Sequence, residues 1–293
     1  MELLNTLYNL MGLVFVLGTI VSMGLSLTIA QITGPLRNVR FVVIALLANF
    51  VVPPILALIL IRVFSLDETL AVGLLLVSLA AGAPALPKTA VFAKVDTAAA
   101  TALMVLLVVA TIVVLPIALP LLLTGISVTF WDIAAGLVYL ILIPLAVSLF
   151  VRARYPDAAA SALPFFSQAS NLSLLILLVL MVVLNFSNVV GLLGSGGLLA
   201  SLILVILTTA GGYLLGKLGK AGDWLQALGA GQRNIAASMV VATMNFGNDE
   251  VVMVVVYSLV VMVVLIPLAL ELGKRRAAAA ETTTETDADL TLA

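Results

Sequence analysis

Cysteine and histidine are both absent from this sequence of 293 residues. Their absence excludes disulfide frameworks, zinc sites built on either residue, thiol nucleophiles and imidazole general bases. Charged residues are scarce at 9%, whereas 63% of the residues are hydrophobic; a soluble domain is about half apolar and about a quarter charged. The formal net charge is −1, and no basic stripe suited to nucleic acid occurs beyond a short C-terminal cluster. The composition therefore predicts a membrane protein that is not an enzyme and has no nucleic-acid partner.

Long apolar runs predict nine membrane-spanning segments, because a helix needs about 20 apolar residues to cross a bilayer. The segments lie near 11–31, 40–62, 69–94, 97–123, 131–151, 161–184, 196–216, 223–247 and 250–272. We therefore expect an all-α integral membrane protein with a single transmembrane domain over residues 1–272. Residues 273–293 are small, polar and acidic, and this composition predicts a disordered cytoplasmic tail.

The basic residues orient these segments, since short cytoplasmic loops collect Lys and Arg. With the N-terminus outside, ten of the 13 Lys and Arg residues fall in cytoplasmic loops or ends, and only Arg62 falls in an outside loop. This predicts a multi-pass protein of the cell's inner (plasma) membrane with a cytoplasmic C-terminus. The two remaining basic residues, Lys88 and Arg233, lie inside predicted spans, where charges usually mark a functional site.

Two of the predicted spans contain residues that oppose helix formation. The third includes "GAPALPKTA" and the eighth includes "GAGQRNIAA". Proline removes a backbone donor and clashes with the preceding turn, and glycine weakens a helix. The predicted helix breaks are at Gly82, Pro84, Pro87, Gly229 and Gly231. Because the two spans run in opposite directions, they are typical of an inverted repeat whose two discontinuous helices cross at a transport site.

Polar residues beside the breaks indicate the kind of ligand. Lys88 and Arg233 supply positive charge, the N-termini of the second half-helices favour anions, and no carboxylate is predicted between them. We therefore predict an organic anion as the ligand. The predicted binding residues are Asn49, Lys88, Thr89, Gln232, Arg233 and Asn234.

Three of these residues also have a structural interpretation. Lys88 either neutralises the anion or extends its side chain to the cytoplasmic headgroups. Arg233 either binds the anion or caps carbonyl groups of the unwound backbone. Asn49 either lines a cavity or bridges neighbouring helices.

At these motifs the sequence resembles the bile acid:sodium symporter family. The resemblance runs over nearly the whole chain, through "ANFVVPP", "LAVGLLLVSLAAGAP…AKVD" and "GYLLG…GQRNIAASMVVATMNF". It implies nine or ten spans in inverted repeats, two discontinuous helices that cross near the substrate site, and transport of organic anions together with sodium.

The residues at the breaks depart from that family's pattern of sodium ligands, which is a Ser-Asn pair at the first break and a glutamate followed by Gln-Asn at the second. This sequence has Lys88 at the first break, Gly229 in place of the glutamate and Arg233 in place of the glutamine, while Asn234 is kept. Two new positive charges would oppose sodium by Coulomb repulsion. One hypothesis is therefore that Lys88 and Arg233 are tethered substitutes for bound cations.

The resulting functional prediction is a secondary transporter of a small organic anion that works by alternating access, as a monomer or homodimer in the lipid bilayer and without a cofactor. If a sodium site persists, its ligands come from Asn49, Ala230 and Gln232; otherwise transport is uniport, exchange or proton-coupled. A membrane-embedded enzyme acting on a lipid and a passive anion channel are the alternatives.

Overall fold

The computed structural model describes residues 2–28, 30, 37–123, 128–184 and 194–292, and the regular elements in these ranges are helical. In chain order the α-helices are α1 (Glu2–Ser26), α2 (Val39–Phe50), α3 (Val52–Val63), α4 (Glu68–Leu79), α5 (Leu86–Phe92), α6 (Thr97–Leu122), α7 (Phe130–Leu137), α8 (Ile143–Arg154), α9 (Pro156–Leu184), α10 (Gly197–Leu218), α11 (Asp223–Gly231), α12 (Ile235–Asn245) and α13 (Asn248–Leu292). A π-helical turn, Val138–Leu142, joins α7 to α8.

Seven helical stretches within the described ranges are long and apolar enough to cross a membrane. They are Thr6–Ser26, Val39–Val63, Thr97–Leu122, Phe130–Arg154, Pro156–Leu177, Gly197–Leu218 and Glu250–Ala279. These seven coincide with predicted spans. The two other predicted spans, 69–94 and 223–247, are each occupied by a pair of short helices, α4 with α5 and α11 with α12. The expected interruptions are therefore present, and the total of nine spans stays a prediction.

The helices pack in two groups. One consists of α1, α8 and α9, which contact one another, and the hydroxyl groups of Thr19 and Ser170 share a hydrogen bond between α1 and α9. The larger group contains α2 to α6 and α10 to α13. The groups meet where α12 of the larger group packs against α1, and where α7, which packs against α6 and α12, continues through the π-helical turn into α8.

The two interrupted segments cross inside the larger group. Helix α4 packs against α12 and α5 packs against α11, so the first half of each segment lies beside the second half of the other. The peptide N–H of Asn234 donates to the carbonyl oxygen of Ala80 at 2.8 Å, which joins the two breaks directly. Helix α13 packs against all four short helices. Both breaks are thus enclosed by protein, the condition under which unwound backbone is tolerated at membrane depth.

At the C-terminal end of the chain, α13 is helical to Leu292, and the disordered tail over residues 273–293 stays a prediction. Four consecutive alanines at 277–280 favour a helix. Just before them, Glu271 and Arg275 form an ion pair one turn apart, with 2.8 Å between Oε1 and Nε. Arg276 also donates to the carbonyl oxygen of Lys94 at 3.1 Å. The alanines and these contacts support a helical conformation at this end of α13.

Candidate functional site

The first break lies between Leu79, the end of α4, and Leu86, the start of α5. Gly82 adopts φ +83°, and a Cβ atom there would lie 2.5 Å from the backbone nitrogen of Val108 on α6. Only glycine permits both this dihedral angle and this close approach. Pro84 is also in the gap, whereas the predicted break at Pro87 is the second residue of α5. A proline in the first helical turn loses no hydrogen bond, because that turn has no intrahelical partner for its N–H.

The second break comprises residues 232–234, between α11 and α12. The predicted break at Gly229 lies inside α11, and Gly231 is the last residue of that helix. A Cβ atom on Gly231 would lie 2.2 Å from Oγ1 of Thr209, so this glycine allows close packing against α10. Asn234 caps the next helix, since its Oδ1 accepts a hydrogen bond from the N–H of Ala237 at 3.0 Å.

Thr111 on α6 satisfies the backbone of the first break. Its Oγ1 accepts a hydrogen bond from the N–H of Ala81 at 2.9 Å and donates to the carbonyl oxygen of Ala81 at 3.0 Å. Both residues are buried. Sequence analysis missed Thr111, because a hydroxyl residue in a long apolar helix gives no local sign of which backbone it will meet.

Two prolines leave carbonyl groups without their usual helical donor, and residues of the second break donate hydrogen bonds to these carbonyls. In a continuous helix the N–H of residue i+4 would bond to the carbonyl of residue i, and Pro53 and Pro84 have no N–H. Their missing donors release the carbonyl oxygens of Asn49 and Ala80. Asn49 accepts from Arg233 at 3.0 Å, and Ala80 accepts from the N–H of Asn234. The sequence signal for these contacts is therefore a proline four residues after the acceptor.

Arg233 lies between the interrupted segments with 2% of its surface exposed. Its guanidinium donates to the carbonyl oxygens of Val77 at 2.9 Å, of Ser78, and of Asn49 at 3.0 Å. Two longer hydrogen bonds reach Oδ1 of Asn49 at 3.2 Å and the carbonyl oxygen of Ala230 at 3.4 Å. These backbone carbonyls belong to the last turns of α4, α2 and α11. Such carbonyls lack helical partners and form the negative end of the helix dipole, so one side chain caps three helix C-termini.

The three residues predicted to bind sodium, if a sodium site persists, fall into two sets in the structure. Asn49 and Ala230 both direct an oxygen to the Arg233 guanidinium. Gln232 donates through Nε2 to Oγ1 of Thr89 on the other broken segment. Within the described ranges, Oε1 of Gln232 and Nδ2 of Asn234 are buried without a hydrogen-bond partner. One acceptor and one donor at the crossing are therefore left unpaired by the described part of the protein.

Lys88 is placed differently from the other predicted binding residues. Its side chain is exposed on α5, and across the part of the chain that the structure describes it has neither an ion pair nor a hydrogen bond. Its neighbour Thr89 is buried and bonded to Gln232. The structure thus brings Asn49, Arg233, Thr89, Gln232 and Asn234 to the crossing and leaves Lys88 as a free cation beside it.

A membrane-embedded enzyme would need a nucleophile and a base, and Ser78 or Thr89 with Lys88 are candidates for that pair; both hydroxyl groups are bonded within their own helices. Ser78 donates to the carbonyl oxygen of Leu75 at 2.8 Å, and Thr89 donates to that of Ala85 at 3.0 Å. Neither hydroxyl is bonded to the lysine, so the arrangement provides no pairing of a nucleophile with a base.

Comparison with known protein families gives a match to the first two thirds of the chain. The model described as the Sodium Bile acid symporter family matches residues 11–192. This range contains the first break and ends before the second. A search of curated proteins returned no match.

Proposed function

Since the chain belongs to the sodium bile acid symporter family, we propose that it is a secondary transporter that moves a small organic anion across the membrane by alternating access. The proposal is supported by two interrupted helices that cross inside a helical bundle, because transport sites in membrane proteins form at such interruptions. In our proposal the crossing segments are the centres of two inverted repeats. The group of α1, α8 and α9 moves against the larger group to expose the site to each side in turn.

We further propose that Arg233 takes the place of a coupling cation. The observation that carries this proposal is the capping of three helix C-termini by a single buried guanidinium. Half-helix ends and unwound carbonyls are the groups that coordinate cations at such crossings in transporters. Because Arg233 is covalently attached, its charge neither enters nor leaves during a transport cycle. Transport is accordingly independent of a sodium gradient and proceeds as uniport, exchange or proton-coupled transport.

The anion in this proposal is bound by Lys88 and the polar residues next to it. Arg233 has its donors directed to protein carbonyls, whereas Lys88 has no partner among the residues that the structure describes. The free oxygen of Gln232 and the free amide group of Asn234 allow a ligand to be oriented as well as neutralised. The two intramembrane cations therefore have separate roles, one in holding the crossing together and one in binding substrate.

The predicted orientation completes the proposal. The protein lies in the inner (plasma) membrane with its N-terminus outside and its C-terminus in the cytoplasm, as the distribution of basic residues favours. It works as a monomer or homodimer and needs no cofactor.

The test is a thermal-shift screen followed by uptake into proteoliposomes. Small carboxylates and sulfonates, with bile acids among them, are added to the purified protein in sodium or potassium chloride, since a ligand stabilises the state that binds it. We expect one class of anion to raise the unfolding temperature equally in both salts, and to accumulate in proteoliposomes with saturable kinetics. Chemical conversion of the anion without net uptake would instead indicate an enzyme, and single-channel currents without saturation would indicate a channel.

A further inference from the structure

A surface groove lies between α10, α11 and α13. Its volume is about 400 Å³ and its lining is apolar, with Ile206, Ala210 and Leu214 on α10, Trp224 on α11, and Val264 and Leu268 on α13. Two lining residues carry a hydroxyl group, Thr209 and Tyr213, and that of Thr209 donates to the carbonyl oxygen of Val205 at 2.6 Å. The groove suits an apolar chain.

Aromatic and basic residues lie together at one end of the groove. The rings of Tyr213 and Trp224 are 4.9 Å apart between centroids, and Nζ of Lys217 is 5.8 Å from the centroid of the Tyr213 ring. Lys217 and Lys220 are both exposed, and neither forms an ion pair within the described ranges. Arg40 adds a third cation, since it donates to the carbonyl oxygen of Leu218 at 3.4 Å.

The acidic residue nearest in sequence to this end does not cancel that charge. Asp223 begins α11, and its Oδ1 accepts a hydrogen bond from the N–H of Trp224 at 2.7 Å. Three cations against one carboxylate leave this end of the groove positive. Tyrosine and tryptophan favour the membrane–water interface, so the positive end lies at the depth of the lipid headgroups.

We propose that this groove binds an anionic phospholipid, with one acyl chain along the apolar lining and the phosphate beside Lys217 and Lys220. Basic clusters between helices on the cytoplasmic side are suited to anionic headgroups, and the apolar groove next to the cluster accepts the attached chain. The site is independent of the anion transport proposed above, because its lining residues lie outside both breaks.

The two tryptophans of the chain allow a direct test in lipid nanodiscs. Trp131→Phe leaves Trp224 as the only fluorophore, at the groove, and Trp224→Phe leaves Trp131, which is 76% exposed at the start of α7. Each variant is placed in mixtures of phosphatidylcholine and phosphatidylglycerol in which one of the two lipids carries brominated acyl chains. Bromine quenches a tryptophan that it touches, so the ratio of quenching measures preference for the anionic lipid.

At Trp224 we expect the quenching ratio to show a preference for phosphatidylglycerol of about five-fold for each lysine that contacts the headgroup. At Trp131 we expect equal quenching by the two lipids. Lys217→Gln should remove one such factor. Arg154→Gln is the matched control, because Arg154, at the end of α8, also lies beside an aromatic ring, 5.4 Å from the centroid of Tyr155, but does not belong to the groove. The preference at Trp224 should stay unchanged in this variant.

Two results would overturn the proposal. Equal quenching of Trp224 by both lipids would mean that only bulk lipid touches the groove. Quenching of Trp131 without any quenching of Trp224 would mean that protein covers the groove, for example a second copy of this chain.

Discussion

Replacing Arg233 by glutamine removes the cation at the crossing while keeping a polar side chain of moderate length. The wild-type guanidinium makes three short hydrogen bonds, to the carbonyl oxygens of Val77, Ser78 and Asn49. The substitution deprives at least two of these buried acceptors of a donor. It also leaves the negative ends of three helices facing one another without a positive charge.

The cost of this substitution follows from two opposing contributions. Hydrogen bonds to a charged group contribute about 1.5–3 kcal/mol each, so losing two to three of them costs about 3–9 kcal/mol, with a midpoint of about 6 kcal/mol. Removing an arginine from the membrane interior recovers about 2.5–3.5 kcal/mol. The net destabilisation is therefore about 3 kcal/mol, which corresponds to a fall of about 6–10 °C in the unfolding temperature.

The assay is thermal unfolding of the detergent-solubilised protein in potassium chloride, followed by tryptophan fluorescence. Arg233→Lys keeps the charge but not the forked geometry of the guanidinium, and we expect it to lose about half as much stability. Lys88→Gln is the control, since exposed residues without partners usually change stability by less than about 0.5 kcal/mol. An Arg233→Gln protein that unfolds at the wild-type temperature in potassium would refute the capping role.

Further predictions concern the anion and the first break. In Lys88→Gln, about ten times more anion should be needed to reach the same rise in unfolding temperature, which corresponds to a loss of about 1.4 kcal/mol of binding free energy. The unfolding temperature without the anion should not change. Equal titration curves for the variant and the wild type would contradict this prediction. Thr111→Val should destabilise the protein by about 2 kcal/mol, because both hydrogen bonds to the unwound backbone are lost. Thr101→Val should cost less, since the Thr101 hydroxyl bonds only within its own helix. Equal losses of stability in chemical or thermal unfolding would refute this prediction. Gly82→Ala should lower the free energy of unfolding by more than about 2 kcal/mol, because positive φ and contact with the α6 backbone both oppose a side chain. Gly194→Ala is the comparison, since a Cβ atom on Gly194 would have no other atom within 4 Å.

The interruptions were predictable from sequence because proline and glycine act locally. Pro84 cannot donate a hydrogen bond in any fold, so a gap near it was expected and is present between α4 and α5. Glycine is a weaker signal, costing only about 1 kcal/mol in a helix. Packing against other helices outweighs that cost at Gly229, which lies inside α11.

The partners of the polar residues were only partly predictable. The structural interpretation of Arg233 anticipated that it would cap carbonyl groups, and the prolines that free two acceptors at the crossing are visible in the sequence. The choice of Val77 and Ser78 as further acceptors depends on how α4 and α12 cross, which no local pattern specifies. The same holds for Thr111, which meets the first break only because α6 packs against it.

The surroundings of Lys88 could not be predicted from a layout of spans. Counting residues along the third span placed this lysine inside the membrane beside Arg233. The break shortens α5 to the range Leu86–Phe92, and on this short helix Lys88 is exposed while Thr89 is buried. Two cations that appear equivalent in sequence thus have different surroundings and different proposed roles.

One comparison tests most directly whether Arg233 replaces a coupling cation. The initial rate of anion uptake into proteoliposomes is measured under an inward sodium gradient and under an equal potassium gradient. The anion is the one that most raises the unfolding temperature in the screen. We predict equal rates for the wild-type protein in the two gradients. A rate that rises with sodium in a saturable manner, and that persists in Arg233→Ala, would contradict the proposal.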